Sequence, residues 1–143
     1  MSYPIYPCLW FNSQAQEAAK FYCSVFKNAS IIASNPMVTT FTLDGLKFMG
    51  LNGGPMYKTT QSVSMYVYAG NEEEVTRLYN LLSENGKVIM PLDTYAWSLK
   101  YAWVEDQFGN SWQLDMKDIE GSQKIVPCLL FANEKMGFVK KAI

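Results

Sequence analysis

The sequence predicts an α+β fold in which two βαβββ modules, about 1–55 and 60–115, form an open mixed β-sheet. That sheet is an incomplete barrel with one helix per module on its outer face. Three observations carry the prediction. A strand, a turn and an amphipathic helix open the chain and return 57 residues later, with Glu17 falling on Glu74, Phe21 on Leu78, Tyr22 on Tyr79 and Ile31-Ile32 on Val88-Ile89. Each helix is followed by short alternating apolar runs broken at turn signals. A module of this kind cannot cover its own sheet face, so two must combine. Residues 1–121 are therefore expected to be one domain.

Residues 6–11 are aromatic and apolar enough for a buried strand. Ala15, Ala18, Ala19, Tyr22, Val25 and Phe26 then form one stripe of a 3.6-residue helix, with Ser13 as its cap and Gln16 completing a capping box. Strands are expected at 30–34, 37–43 and 46–51, the last two joined by the hairpin signal Asp44-Gly45. The Thr-rich centre of 37–43 implies a wet or cavity-facing side. The second module opens with a strand over 62–69, then Asn71 as N-cap and three glutamates that favour the helix dipole. Val75, Leu78, Tyr79 and Leu82 form its stripe, and Asn85-Gly86 closes it. Strands follow at 86–91, 99–105 and 111–115, with a loop through Asp93, Thr94 and Tyr95 and a turn over 106–110 in which Gly109 takes a positive φ.

The segment 122–143 is expected to supply a C-terminal strand and a helical piece beginning near Val139, covering a sheet edge or a dimer interface. Val126-Pro127-Cys128-Leu129-Leu130-Phe131 echoes Tyr6-Pro7-Cys8-Leu9-Trp10-Phe11. The echo also admits a vestige of a second tandem domain, or an element exchanged between subunits.

Composition narrows the function. Hydrophobic content of 49% with 15% aromatic and 17% charged residues describes a chain with a core. A net charge of -1, with Arg77 the only arginine, gives no field for nucleic acid or an anionic membrane. The absence of histidine removes the commonest metal ligand and the commonest general base. Cys8, Cys23 and Cys128 form no C-x-x-C pair and are expected to be reduced, mostly buried thiols, with Cys8 inert in its apolar strand. No apolar run approaches the length of a membrane span, and no secretory signal pattern opens the sequence, so a cytoplasmic protein is expected. Trp10, Trp103 and Trp112 are expected in the core.

Pro7, Leu9, Phe11, Glu17-Ala18, Phe21-Tyr22, the turn Asn52-Gly53-Gly54-Pro55 and the run from Trp103 to Gln113 resemble the PhnB-like branch of the vicinal oxygen chelate superfamily. That branch is often labelled a 3-demethylubiquinone 3-methyltransferase domain. The resemblance implies a concave ligand-binding side and, as in many such proteins, a homodimer. Chelating relatives carry metal ligands on the first and last strands of each module. Those positions fall here on Pro7, Ser64, Gln113 and the apolar stretch 48–51, a set that implies no metal and no cofactor. Gln113 has two readings, a ligand-binding amide or a strand residue bonded to its neighbours. The same resemblance makes Pro7, Leu9, Phe11, Ser64, Tyr66 and Tyr68 cavity candidates, although the aromatics could instead plug the barrel. The expected activity is binding of a small, aromatic molecule. The alternatives are a metal-independent enzyme in the same cavity or a partner-binding module. The methyltransferase label has no motif behind it, because no G-x-G-x-x-G occurs.

Overall fold

A computed structural model describes residues 5–58, 60–119 and 124–130. The chain runs β1 (Cys8–Phe11), α1 (Ala15–Val25), β2 (Ser30–Ser34), β3 (Val38–Leu43), β4 (Leu46–Asn52), β5 (Val63–Ala69), α2 (Glu72–Ser83), β6 (Lys87–Tyr95), β7 (Ser98–Glu105), β8 (Ser111–Met116) and β9 (Ile125–Leu129). This is the α+β arrangement of two βαβββ modules. The open sheet is divided in two, ordered β1-β4-β3-β2 and β6-β7-β8-β5-β9. In each module the first strand runs parallel to the last, and the other pairs are antiparallel. No helix among the described residues is long and apolar enough to cross a membrane.

Each helix lies on one face of its own sheet, and α1 also reaches the other sheet. Tyr22 packs on Phe41 of β3 at 6.2 Å and on Trp112 of β8 at 5.3 Å between ring centroids. The Arg77 guanidinium on α2 donates to the Val25 carbonyl at the end of α1 (2.7 Å). The helix-bearing faces thus share one core that includes Phe11, Phe41, Phe48, Leu78, Leu82, Trp112 and Leu114. The opposite faces, free of helix among the described residues, point away from it.

Local chemistry explains the turns. Asp44 (φ 52°) and Gly45 (φ 77°) form the tight hairpin that their sequence signals. Asn71 caps α2, its Oδ1 accepting the Glu74 N–H at 2.8 Å. Gly86 is required by close approach, since a Cβ there would lie 2.1 Å from the Glu105 carbonyl oxygen.

Some expectations are corrected. The N-cap of α1 is Gln14, not Ser13, and no side chain of the helix's own first turn caps it. Asn52 does so instead, accepting the Ala15 N–H at 2.9 Å, because parallel pairing sets Asn52 beside Phe11 at the entry to the helix. Residues 93–95 are not a loop but the end of β6, which pairs with β7 through several register shifts. None of the thiols is buried: Cys8 is exposed on an edge strand, and Cys23 and Cys128 are half-buried. Partial burial still raises the Cys8 thiol above its ordinary value. At the C-terminal end, β9 pairs antiparallel with β5, and Cys128 stands opposite Ser64. Phe131 and the expected helical piece from Val139 lie outside the described residues.

Candidate functional site

Alternation along β5, β7 and β8 decides what the helix-free face of the second sheet carries. Met65, Val67 and Ala69 are buried toward the core, which turns Ser64, Tyr66 and Tyr68 the other way. Trp112 and Leu114 go to the core as well, so Ser111, Gln113 and Asp115 face out between β5 and β7. The ladders then set Tyr66 beside Gln113, and Tyr101 beside Asp115.

Two short polar chains cross this face. Tyr66 Oη donates to Asp115 Oδ2 at 2.8 Å, and Ser98 Oγ donates to the other oxygen of the same carboxylate. Tyr101 Oη donates to Gln113 Oε1, while Gln113 Nε2 donates to Ser64 Oγ at 2.8 Å and lies 3.5 Å from Cys128 Sγ. Trp103 Nε1 donates to Ser111 Oγ at 2.6 Å. Aromatic rings surround these groups. Tyr66 is 5.2 Å from Tyr68 and 6.4 Å from Tyr101, and Tyr101 meets Tyr95 and Trp97 edge-on. Burial, then the hydrogen bond to Asp115, pushes the Tyr66 hydroxyl well above its ordinary value. Burial does the same at Tyr101, helped by the nearby Cys128 and Asp115. Both phenols therefore hold their protons and act as donors.

The structure brings Ser64, Tyr66, Tyr68 and Gln113 together and leaves out Pro7, Leu9 and Phe11. Leu9 pairs with Gly50, where an added Cβ would lie 3.2 Å from Ala15 Cβ of α1, so that face of β1 looks into the core. Leu9 and Phe11 are buried there, at 8% and 4% exposure. Pro7 lines a separate groove of about 340 Å³ with Phe48, Ile125 and Pro127. The cause is a one-residue slip. Three residues separate β1 from α1, whereas two separate β5 from α2. A 57-residue offset matches the helix starts but shifts the strands by one, and one residue reverses every side chain in a strand. The equivalents of Tyr66 and Tyr68 in the first module are therefore Cys8 and Trp10, not Leu9 and Phe11. Sequence reading also missed Tyr101, Asp115, Ser98, Tyr95 and Trp97. The alternation Ser111, Gln113, Asp115 was the available signal for Asp115.

Of the tryptophans, Trp112 is buried as expected, while Trp10 and Trp103 are only half-buried and hydrogen-bonded through their indole N–H groups. The most family-specific run folds into a buried knot. Asp106 accepts from Tyr22 Oη (2.6 Å), Trp112 Nε1 (2.8 Å), the Phe108 N–H (2.8 Å) and the Asn110 N–H (3.0 Å). Asn110 Nδ2 donates back to the Tyr22 oxygen at 2.7 Å. Burial lifts the Asp106 carboxyl above its ordinary range against the pull of those donors. Gly109 closes the turn at φ 89°. This knot joins α1 to the second sheet and has a structural role.

The donor set does not fit a metal. The Gln113 amide is engaged on both sides, Ser64 offers a neutral hydroxyl, and the described residues hold no cluster of three His, Cys, Asp or Glu side chains.

The family model named 3-demethylubiquinone-9 3-methyltransferase matches residues 4–115. No curated protein matches this sequence. Among solved structures, a PhnB protein from Bacillus cereus that carries the same methyltransferase name is 32% identical, with a TM-score of 0.75. The alignment covers 80% of this chain and 99% of that one. Protein PA1353 from Pseudomonas aeruginosa is 23% identical over 81% of this chain and 98% of its own, with a TM-score of 0.69. The fosfomycin resistance protein FosX from Listeria monocytogenes, solved with Mn(II) and sulfate, is 15% identical over 84% and 94% of the two chains. Its TM-score of 0.55 shows the shared fold alone. The fold, the matched residues and the Bacillus cereus likeness together place this chain in the PhnB-like, 3-demethylubiquinone-9 3-methyltransferase family.

Proposed function

We propose that this chain is a metal-free small-molecule-binding protein whose site is the helix-free aromatic face of its second sheet. One observation carries the reading. Ser64, Tyr66, Tyr101, Gln113 and Asp115 form fixed hydrogen-bonded chains under a set of aromatic rings, on the face that no helix of the described residues covers. A few positioned polar groups on an apolar ground are the usual make-up of a ligand site. The enzyme alternative gains little, because both phenols stay protonated at neutral pH and no histidine exists to act as a base. Proton transfer at neutral pH would need other groups.

A thermal-shift screen of flat aromatic metabolites tests the binding role, since a ligand present at about 100 times its Kd stabilises by about 2.7 kcal/mol. Hits are expected to stabilise the chain equally with and without EDTA. Stabilisation that EDTA abolishes would contradict the metal-free reading. A library that gives no hit would contradict the binding role.

No helix of the described residues covers the same face, and we propose that a second copy does, giving a symmetric homodimer. The first module has a comparable side, bare of described helices, where Cys8 is exposed and Trp10 half-exposed, on a strand that pairs among the described residues with β4 alone. Sedimentation at micromolar concentration is expected to give a dimer. A monomer at about 100 μM, far above the working range of a stable dimer, would contradict this.

A further inference from the structure

We infer that the ligand selected by this face is a small organic cation, an ammonium carried on a flat apolar body; this rests on the binding role proposed above. Asp115 is only 6% exposed, and its two oxygens are met by hydroxyl groups alone, those of Tyr66 and Ser98. Hydroxyl donors solvate a carboxylate without cancelling its charge, and buried charges are normally paired. The ion pairs of the described residues join Lys27 and Arg77 to Glu74 and Lys100 to Glu72, so none of them neutralises Asp115.

Among the described residues no side chain forms an ion pair with Asp115, including exposed Lys117, which follows two residues on and falls on the same face by alternation. Asp93 stands opposite Tyr101 in the β6–β7 ladder, which adds a second carboxylate at that end. Lys87 pairs with Glu105 at the far end of the same strands. Lys124 lines a groove together with Tyr68, Asp44 and Glu74, and its charge acts on the Asp44 carboxyl there. The rings of Tyr66, Tyr68, Tyr101, Tyr95 and Trp97 lie on this face in contact with one another. A cation over such rings is attracted by their quadrupoles, and a phenol that donates to a carboxylate is a richer electron donor than a free one. An anion would meet repulsion here, and a neutral compound would leave the buried charge uncompensated.

Calorimetric titration of the full chain with 2-phenylethylammonium, 2-phenylethanol and phenylacetate tests this, because the three share one ring and chain length. The ammonium is expected to bind about tenfold tighter than the alcohol, and phenylacetate weakest. Salt raised from about 20 mM to about 500 mM should weaken the ammonium and leave the alcohol unchanged. In Asp115→Asn, which keeps the shape and an acceptor for Tyr66, the ammonium should fall to the level of the alcohol. The salt series on the unmodified chain decides the matter if that variant does not fold. Equal binding of ammonium and alcohol would overturn the inference, as would a preference that survives Asp115→Asn. If equal binding is lost in Tyr66→Ala, the face still binds ligands and only the charge preference fails. No binding of any probe at about 10 mM, a Kd too weak for a built site, overturns the cation inference; the role of the face then rests on the metabolite screen.

Discussion

Asp106→Ala is expected to destabilise the fold by about 3–5 kcal/mol in urea unfolding, the range for removing one partner from a buried charged network. Asp106 is 3% exposed, and its carboxylate receives four donors, two from side chains and two from the backbone of its own turn. Alanine takes from all four the acceptor they share, and each unsatisfied buried donor costs about 1–3 kcal/mol, less than additively. The damage extends beyond the turn, because Tyr22 and Trp112 lie in α1 and β8. Tyr22→Phe removes one of these donors and leaves Asn110 Nδ2 without its acceptor, so a smaller loss of about 1–2 kcal/mol is expected. A loss below about 1 kcal/mol for Asp106→Ala would mean that water replaces the carboxylate and that the knot is not closed.

Trp112→Ala should cost a similar amount, about 3–5 kcal/mol, the range for large aromatic-to-alanine changes in a core. The indole is fully buried, with Tyr22 of α1 and Phe26, which follows α1, at 5.3 Å and 5.2 Å from it. It is therefore the main side chain through which the first helix grips the second sheet. Trp97, at 58% exposure, provides the contrast: Trp97→Ala is expected to cost less than about 1 kcal/mol. Trp112 and Asp106 share a hydrogen bond, so their double mutant should lose less than the sum of the two single losses. Equal losses at Trp97 and Trp112 in thermal unfolding would mean that the sheets are not joined through α1.

The fold was legible because its signals are local. Helical stripes, the Asp44-Gly45 hairpin and the Asn71 cap act over a few residues, and one repeat ties them together. What was illegible depends on contacts far apart in the chain. Asn52 caps α1 from 37 residues away, and Asp106 bonds Tyr22 across 84. No periodicity reports such pairs. The candidate site was half legible for a sharper reason. Tyr66 could be grouped with Ser64 by alternation within its own strand, and Gln113 was reached through the family resemblance. Leu9 and Phe11 were named by transferring that alternation across modules, and one extra residue before α1 turned them into the core. Asp115 was hidden because a carboxylate near the end of a strand reads as an ordinary solvated residue until Tyr66 and Ser98 are seen to cover it.

The most direct test of the central claim is the fluorine NMR spectrum of the chain labelled with fluorotyrosine at its nine tyrosines, recorded while a compound from the thermal screen is added. Tyr66, Tyr68 and Tyr101 should shift together and saturate at the same concentration. Tyr6 and Tyr57, which line the grooves on the core-facing side and beside Trp10, should stay still. Shifts at Tyr6 or Tyr57 with Tyr66, Tyr68 and Tyr101 unmoved would contradict the account and place the binding site elsewhere.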